Sequence, residues 1–187
     1  MSSKHTGRVL YFVRHGQYHT GDGPKAGTLT ALGRRQARRI AHYFREIPVN
    51  SVISSNMPRA VETAAILAEE LGLVHNKRLP LLREVMPAKV KGLVVPLSKR
   101  KEARARIDQI YEQFFVPTRG TRHEIVVCHG NLIRALVCRV IGAPPIAFQK
   151  PMTHNGSVTC FVVIEGREML ASFNSISHLP AALHTMM

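Results

Sequence analysis

The 187-residue sequence predicts an α/β fold: a three-layer sandwich with a mainly parallel central sheet and helices on both faces. Three observations predict it. Short apolar runs alternate along the chain with longer segments of helical periodicity, which is the order that builds parallel sheets. Glycine and proline mark the boundaries between these segments. Hydrophobic residues make up 45% of the chain, enough for the core of one domain over residues 1–187.

The first strand and its following helix come from residues 9–46. Val9–Val13 is a continuous apolar run, typical of a buried strand, and a Gly- and Pro-rich loop follows at His19–Gly27. Thr30 can cap a helix that runs to about Glu46, because apolar residues recur there at helical spacing. The opposite face of this helix carries four arginines: Arg34, Arg35, Arg38 and Arg39.

The middle of the chain predicts a second strand and two helices. The strand covers residues 49–55, and Pro58 opens a helix that Gly72 closes. Residues 78–87 are predicted to be extended or turn-like. Apolar residues at helical spacing predict the next helix over residues 98–115.

The last third of the chain predicts a third buried strand, a helix and a hairpin. The strand is Glu124–Cys128, and the apolar stripe directly after it predicts a helix that stops at Gly142. Two further strands join at Glu165–Gly166, where glycine favours a turn. Residues 174–187 carry no clear pattern.

Polar residues suited to phosphate follow two of these strands. Arg14 and His15 come directly after the first strand, and His129 and Gly130 come after the third. Parallel strands end on one edge of their sheet, and ligands bind in the crevice outside those ends. We therefore expect both pairs to face one site, where Gly16 and Gly130 would let the backbone approach a ligand closely.

Arg59 is assigned to the same site by a different argument. It lies in the first turn of its predicted helix, where the helix dipole disfavours a cation unless an anion docks there. Two arginines and two histidines are thus predicted to surround a phosphoryl group. Guanidinium forks would bind it bidentately, a neutral imidazole would attack phosphorus, and a second, charged imidazole would bind the equatorial oxygens.

Four ordered segments resemble the motifs of one enzyme family. They are Val13–Gln17, which contains R-H-G, followed by Leu29–Ala37, Ser54–Ala64 and Val126–Leu136. Together they resemble the histidine phosphatases, the phosphoglycerate-mutase-like superfamily. Within that superfamily the RHGQYH sequence of Arg14–His19 is most similar to the mitochondrial Ser/Thr-protein phosphatase branch.

The resemblance implies a phosphoglycerate-mutase-like fold and a phosphate pocket. Arg14, His15, Arg59, His129 and Gly130 would form that pocket, and His15 would be phosphorylated transiently. The implied activity is metal-independent hydrolysis of phosphomonoesters without a cofactor, with Ser/Thr phosphoproteins as the substrates. A small-metabolite phosphatase and a phosphoglycerate-mutase-type enzyme are the alternatives.

The proton donor and the pocket rim are also assigned by the resemblance. The family draws its proton donor from an acidic residue in the middle of the chain. Glu84 is our candidate because it is predicted to lie on a loop at a strand end, and Glu62 is the second candidate. The rim is assigned to four residues with polar side chains: Gln17, Tyr18, Asn131 and Asn155.

Two other interpretations of the same residues remain as alternatives. Cys128–Arg134 fits the C-x5-R pattern of cysteine-dependent phosphatases, although its apolar neighbours indicate that Cys128 is a small buried hydrophobe. The arginine-rich helix face and Lys99–Arg106 would instead suit a basic nucleic-acid- or anion-binding module. An aromatic content of 6% leaves little for base stacking, so nucleic acid is the less favoured partner.

Charge and cysteine content limit the partners and the compartment. The formal net charge of +14 favours polyanionic partners, and phosphate or sulfate is expected to occupy the site. Three scattered cysteines favour a reducing compartment such as the cytoplasm, and the resemblance leaves the mitochondrion open. No run of about 18 apolar residues predicts a transmembrane helix. The sequence leaves open whether the protein forms a homodimer.

Overall fold

A six-stranded sheet forms the centre of the computed structural model, which describes residues 7–186. Its strands are β1 (Gly7–Arg14), β2 (Ser51–Ser55), β3 (His75–Leu79), β4 (Arg122–Cys128), β5 (Val158–Ile164) and β6 (Arg167–Ser175). They lie in the order β3-β2-β4-β1-β5-β6. The pairs β2–β3, β2–β4 and β1–β4 are parallel, whereas β1–β5 and β5–β6 are antiparallel.

Helices cover both faces of this sheet. They are α1 (Ala31–Tyr43), α2 (Pro58–Glu70), α3 (Leu97–Phe114) and α4 (Gly130–Val140). Short 3-10 helices lie at Pro80–Leu82, Pro145–Gln149 and Ala181–Leu183. Within residues 7–186, no helix is both long enough and apolar enough to span a bilayer.

Alternation along β1 divides the core into two layers. Tyr11 and Val13 pack with buried residues of α1 and α2, whereas Leu10 and Phe12 pack with those of α3 and α4. This follows from strand geometry, in which successive side chains point to opposite faces. The predicted three-layer α/β sandwich is confirmed.

Most predicted elements are present with small shifts in their ends. Thr30 caps α1, and its hydroxyl accepts a hydrogen bond from the Gly33 N–H. The helix ends at Tyr43, three residues before the predicted Glu46. Glu165 and Gly166 join β5 to β6 with φ values of 52° and 75°, which suit a tight hairpin turn.

The sequence did not indicate β3. This strand lies at the edge of the sheet beside β2, and its sequence HNKRL lacks the apolar run of a buried strand. Lys77 and Arg78 are exposed there, and charged residues on an edge strand oppose pairing with another chain. Hydrophobic periodicity therefore gave no signal for it.

Candidate active site

The carboxyl ends of β1 and β4 meet at one cavity. The two strands are in register at Arg14 and Cys128, and the His15 N–H donates to the Cys128 carbonyl at 3.1 Å. A cavity of about 570 Å³ opens beside this point. Its lining includes five of the predicted catalytic and phosphate-binding residues: Arg14, His15, Arg59, Glu84 and Gly130. The expected convergence of the strand ends is therefore present.

The imidazole of His15 is held in one tautomer. Its Nδ1 lies 2.8 Å from the Gly16 carbonyl, which only accepts hydrogen bonds, so Nδ1 carries the proton. Nε2 then has a free electron pair, which accepts a hydrogen bond from Arg59 Nε at 3.0 Å. The ring is buried, and burial together with the nearby His129 holds the pKa of His15 well below its usual value. At neutral pH the ring is uncharged, as a nucleophile requires.

Arg14 lies against the backbone that follows β4. Its Nη1 donates to the Thr153 carbonyl at 2.6 Å, which fixes the buried guanidinium in the cavity wall. A Cβ atom at Gly130 would lie 3.2 Å from Arg14 Nε and 2.8 Å from Thr153 Oγ1. Gly130 therefore makes room for the arginine that is predicted to hold phosphate.

Arg59 forms hydrogen bonds with both histidines, His15 and His129. Its Nε bonds to His15, and its Nη2 donates to His129 Nδ1 at 3.2 Å. The guanidinium also lies 4.5 Å from the centre of the Tyr18 ring, within cation–π range. Three partners thus orient Arg59 toward the centre of the cavity.

The structure corrects the expectation that His129 is charged. Its Nδ1 accepts from Arg59, so the proton lies on Nε2, which donates to Ser55 Oγ at 2.9 Å. Burial, with the Arg59 and Arg14 guanidinium groups, lowers the pKa of His129 to about 3. The ring is neutral at neutral pH and completely buried behind Arg59. Sequence reasoning also missed Ser55, the partner that fixes this tautomer.

Glu84 faces the two arginines and His15 across the cavity. Its side chain is exposed to the cavity, and Oε1 accepts a hydrogen bond from the Leu132 N–H at 3.1 Å. The surrounding protein raises the pKa of Glu84 by desolvating the carboxylate, while backbone N–H groups and the arginines oppose this shift. Arg106 fixes the backbone by donating to the Glu84 carbonyl at 2.6 Å. A raised pKa favours the protonated form that a proton donor needs.

Gly16 has a different role from the predicted approach to a ligand. A Cβ atom there would lie 2.6 Å from the Gly33 carbonyl, so the glycine lets the loop after β1 pack tightly on α1. The Gly16 N–H donates to Thr63 Oγ1 at 3.1 Å, and the Thr63 hydroxyl donates to the Arg59 carbonyl at 2.7 Å. These bonds set the spacing between His15 and Arg59.

The four predicted rim residues separate into two pairs. Tyr18 and Asn131 line the cavity. Gln17 does not: its side-chain oxygen accepts from the Thr30 hydroxyl at 2.8 Å. Asn155 is buried beneath the site, where its amide donates to the His15 carbonyl at 3.3 Å. The Gln17 and Asn155 side chains therefore bind polar partners instead of lining the cavity. These partners are distant in sequence, so no local pattern indicates them.

The C-terminal residues 180–186 form a strap from α1 to the cavity. Gln36 of α1 donates to the Leu183 carbonyl at 2.7 Å. The Thr185 hydroxyl donates to Asn155 at 3.1 Å, and Met186 lines the cavity. This strap, which the sequence left unassigned, thus reaches the residue that supports the His15 backbone.

Further cavity residues come from α4 and from the loop before β5. Arg134 lies on α4, where it donates to Asn131 Oδ1 and to the Pro151 carbonyl. Met152 and Thr153 come from the loop. No local pattern marks Met152 or Thr153 as part of a site, and the C-x5-R pattern assigned Arg134 to a different catalyst, because only the tertiary fold brings these residues to the cavity.

The alternative catalytic residues lie outside the cavity. Cys128 is completely buried, and burial raises the pKa of its thiol, so a thiolate nucleophile is disfavoured there. Glu62 forms an ion pair with Arg34 at 2.7 Å, between α1 and α2, and is absent from the cavity lining. The structure therefore supports His15 over Cys128 and Glu84 over Glu62.

A family model described as the histidine phosphatase superfamily (branch 1) matches residues 10–101 and 94–176. The chain belongs to the histidine phosphatase superfamily. The predicted membership is confirmed, and the matched segments contain Arg14, His15, Arg59, Glu84 and His129.

Two similar proteins are mitochondrial serine/threonine-protein phosphatases. The chain is 32% identical over 188 residues to PGAM5 of Mus musculus. It is 30% identical over 193 residues to Pgam5 of Caenorhabditis elegans. Each match covers 92% of this chain but 64% of the relative, so the chain spans less than two thirds of their length.

Two solved structures of phosphoglycerate mutases resemble most of the chain. The phosphoglycerate mutase of Plasmodium falciparum is 27% identical, with a TM-score of 0.63 and coverage of 94% of this chain and 96% of that one. A phosphoglycerate mutase of Bacillus anthracis has a TM-score of 0.69 at 20% identity, covering 95% and 97%. At that identity the second likeness shows the fold alone. The predicted phosphoglycerate-mutase-like fold is confirmed.

Proposed function

We propose that this histidine phosphatase hydrolyses phosphomonoesters through a phosphohistidine formed on His15, with serine and threonine phosphoproteins as its substrates. The observation that carries the proposal is the geometry of His15. Its Nδ1–H is fixed on the Gly16 carbonyl, so the Nε2 electron pair is directed to the cavity beside Arg59. A neutral nitrogen nucleophile beside the buried guanidinium of Arg14 and the half-buried guanidinium of Arg59 suits attack on a phosphoryl group.

In the first half-reaction the electron pair of His15 Nε2 forms a bond to phosphorus. Arg59 turns its donors from Nε2 to the phosphoryl oxygens, and Arg14 binds these oxygens from the opposite wall. The bond from phosphorus to the ester oxygen breaks, and Glu84 gives its proton to the leaving alkoxide. The negative charge is spread over the equatorial oxygens, which the guanidinium donors already placed at the cavity stabilise with little reorganisation.

In the second half-reaction Glu84, now ionised, takes a proton from water. The water oxygen attacks phosphorus, the bond from phosphorus to Nε2 breaks, and the electron pair returns to His15. Inorganic phosphate leaves, and Glu84 is protonated again for the next turnover. One carboxyl thus serves as acid and then as base, which is consistent with its raised pKa.

A groove beside the cavity supports a protein substrate. It has a volume of about 420 Å³ and shares Glu84 with the cavity. Leu93 and Val94 line it with 49% and 94% of their surface exposed. Arg83 and Arg106 also line it, and they donate hydrogen bonds to uncharged partners, the Asn56 side chain and the Glu84 carbonyl. Apolar and acidic residues that flank a phosphorylated side chain would fit this surface, in keeping with the substrate named for the Mus musculus relative.

A mutase activity is the second candidate. The likeness to the Plasmodium falciparum phosphoglycerate mutase covers 94% of this chain and favours it. In that case phosphohistidine would pass its phosphoryl group back to a bound phosphoglycerate hydroxyl instead of to water. The open groove beside Glu84 favours hydrolysis, since water can enter it.

Trapping the intermediate tests the proposal. After rapid mixing with a ³²P-labelled phosphoserine peptide and quenching, we expect label on the protein that acid removes and alkali retains. Cys128→Ser should keep the label, His15→Ala should lose it, and turnover should persist with excess chelator. Label that survives acid, or that depends on Cys128, would contradict the phosphohistidine. In parallel, release of phosphate from peptides is compared with interconversion of phosphoglycerates; dominance of the latter would favour the mutase.

A further inference from the structure

A second cavity lies away from the candidate active site. It has a volume of about 330 Å³ and shares no lining residue with the catalytic cavity. We name it the arginine cavity after the four arginines in its wall: Arg35, Arg38, Arg39 and Arg45. Three of them come from α1. The other lining residues are His42, Glu70 and three residues of the strap, Pro180, Ala182 and Leu183.

The charge of the arginine cavity is poorly compensated. Among residues 7–186, its ion pairs are those of Glu70, whose carboxylate lies 3.8 Å from Arg38 and 3.7 Å from Arg45. Neither Arg35 nor Arg39 has a carboxylate within ion-pair distance in that part of the chain. On the neighbouring face, by contrast, Arg34 pairs closely with Glu62 at 2.7 Å. The wall therefore carries a clear excess of positive charge.

The fold does not require this excess. The apolar residues Ala37, Ile40 and Ala41 attach α1 to the sheet and are completely buried. The Arg38 side chain is 61% exposed. Cations three and four residues apart on one helix repel each other and destabilise it by a few tenths of a kcal/mol per pair. An arrangement that costs stability, and contributes no packing, points to a bound anion.

The shape and chemistry of the arginine cavity select the kind of anion. Guanidinium forks match phosphate oxygens bidentately, and several forks around one concavity favour clustered phosphate groups over a single one. A concave site of this volume suits a compact molecule better than it suits the flat surface of a polymer. We propose that the arginine cavity is a second anion site, which binds a compact soluble anion carrying two or more phosphate groups.

The test measures binding to the full chain by calorimetry at about physiological salt. Inositol hexasulfate is the probe, because it presents clustered anions that phosphoryl transfer cannot consume. The site variant is Arg35→Gln, Arg38→Gln and Arg39→Gln together. The matched control neutralises three exposed cations outside both cavities: Lys101→Gln, Arg119→Gln and Arg167→Gln. Circular dichroism and thermal melting confirm that each variant is folded.

We expect the site variant to lose at least tenfold in affinity and the control less than about threefold. Equal losses would show that only net charge attracts the probe and would overturn the proposal. Unchanged affinity in both variants, with competitive inhibition of phosphate-ester hydrolysis, would place the probe in the catalytic cavity and also overturn it. Retention on phosphatidylinositol bisphosphate vesicles without binding of the soluble probe would overturn it in favour of a membrane surface. Because binding is read directly, the result does not depend on turnover.

Discussion

Two groups of arginines in this molecule differ in what holds them. In the catalytic cavity Arg14 is fixed on a carbonyl at 2.6 Å, and Arg59 is fixed on two imidazoles at 3.0 and 3.2 Å. In the arginine cavity the contacts are loose ion pairs of 3.7 and 3.8 Å to one carboxylate. Donors held close to the reacting atoms stabilise a developing charge with little reorganisation, whereas exposed cations attract anions through a field that salt screens. The first arrangement suits chemistry and the second suits binding.

The largest expected effect is the loss of a fixed donor. Arg59→Gln should lower kcat for an aryl phosphate by roughly 100- to 1000-fold, because removing one preorganised donor costs about 3 to 4 kcal/mol in the transition state. Arg167→Gln, which removes an exposed arginine of β6, should stay within twofold. Steady-state kinetics on both variants makes the comparison. Similar losses in the two would mean that total charge, and not fixed geometry, drives turnover.

Glu84→Gln should have an effect that depends on the leaving group. Hydrolysis of a phosphoserine peptide should slow by roughly 100-fold, since its alkoxide needs a proton. A nitrophenyl phosphate, whose leaving group departs without one, should slow by less than tenfold in the same phosphorylation step. The measurement is single-turnover kinetics with both substrates. Equal slowing would assign Glu84 to binding instead of proton transfer.

The pH profile should reflect both shifted groups. Activity on a phosphoserine peptide requires protonated Glu84, so it should fall as pH rises through the raised pKa of that carboxyl. It also requires neutral His15, so the fall on acidification should come only at low pH, where that lowered pKa lies. Profiles of kcat/KM for the wild type and Glu84→Gln test this, and the variant should lose the alkaline fall. An alkaline fall that persists unchanged would exclude Glu84 as its source.

Ser55→Ala should have a moderate effect through His129. The substitution leaves the buried Nε2–H of His129 without its acceptor, which costs about 1 to 3 kcal/mol in stability. Arg59 then has a less firmly held partner, and we expect kcat to fall by roughly tenfold. Ser55→Thr, which keeps the hydroxyl, should recover most of the loss. Failure of the threonine to recover activity would indicate a packing role for Ser55.

The smallest expected effect concerns the groove. Val94→Asp places a negative charge where an apolar residue is 94% exposed. The ratio of kcat/KM for an acidic phosphopeptide to that for an aryl phosphate should fall about threefold to tenfold, and rising salt should narrow the difference. Val74→Asp, at an exposed valine outside the groove, is the control and should leave the ratio unchanged. An unchanged ratio in Val94→Asp would remove the groove from the substrate site.

The sequence predicted the parts of the site that depend on chain order. Arg14, His15 and His129 each follow an apolar run, and parallel strands necessarily end on one edge of the sheet. Arg59 was found because a cation is unfavourable in the first turn of a helix. For Arg14, His15 and His129, one local rule and one rule about sheets were sufficient. For Arg59, one rule about helices was sufficient.

Other features depended on tertiary contacts. Asn155 resembles a rim residue in sequence, yet its amide bonds to the His15 carbonyl beneath the site. The charge of His129 depends on burial beside Arg59, which no spacing indicates. Gly16 is required by the backbone of Gly33, a residue from another element. Sequence patterns indicate which residues share an edge, but not which partner each one takes.

The strap has a practical consequence for handling the protein. Met186 lines the catalytic cavity, and Thr185 is bonded to the asparagine that supports the His15 backbone. A group attached to the chain at Met186 would therefore lie at the catalytic cavity, and its charges would add to those of the cavity. A polyhistidine tag there would also bring imidazoles near a site whose chemistry depends on one. Kinetic measurements should use a tag on the other end of the chain, removed before assay.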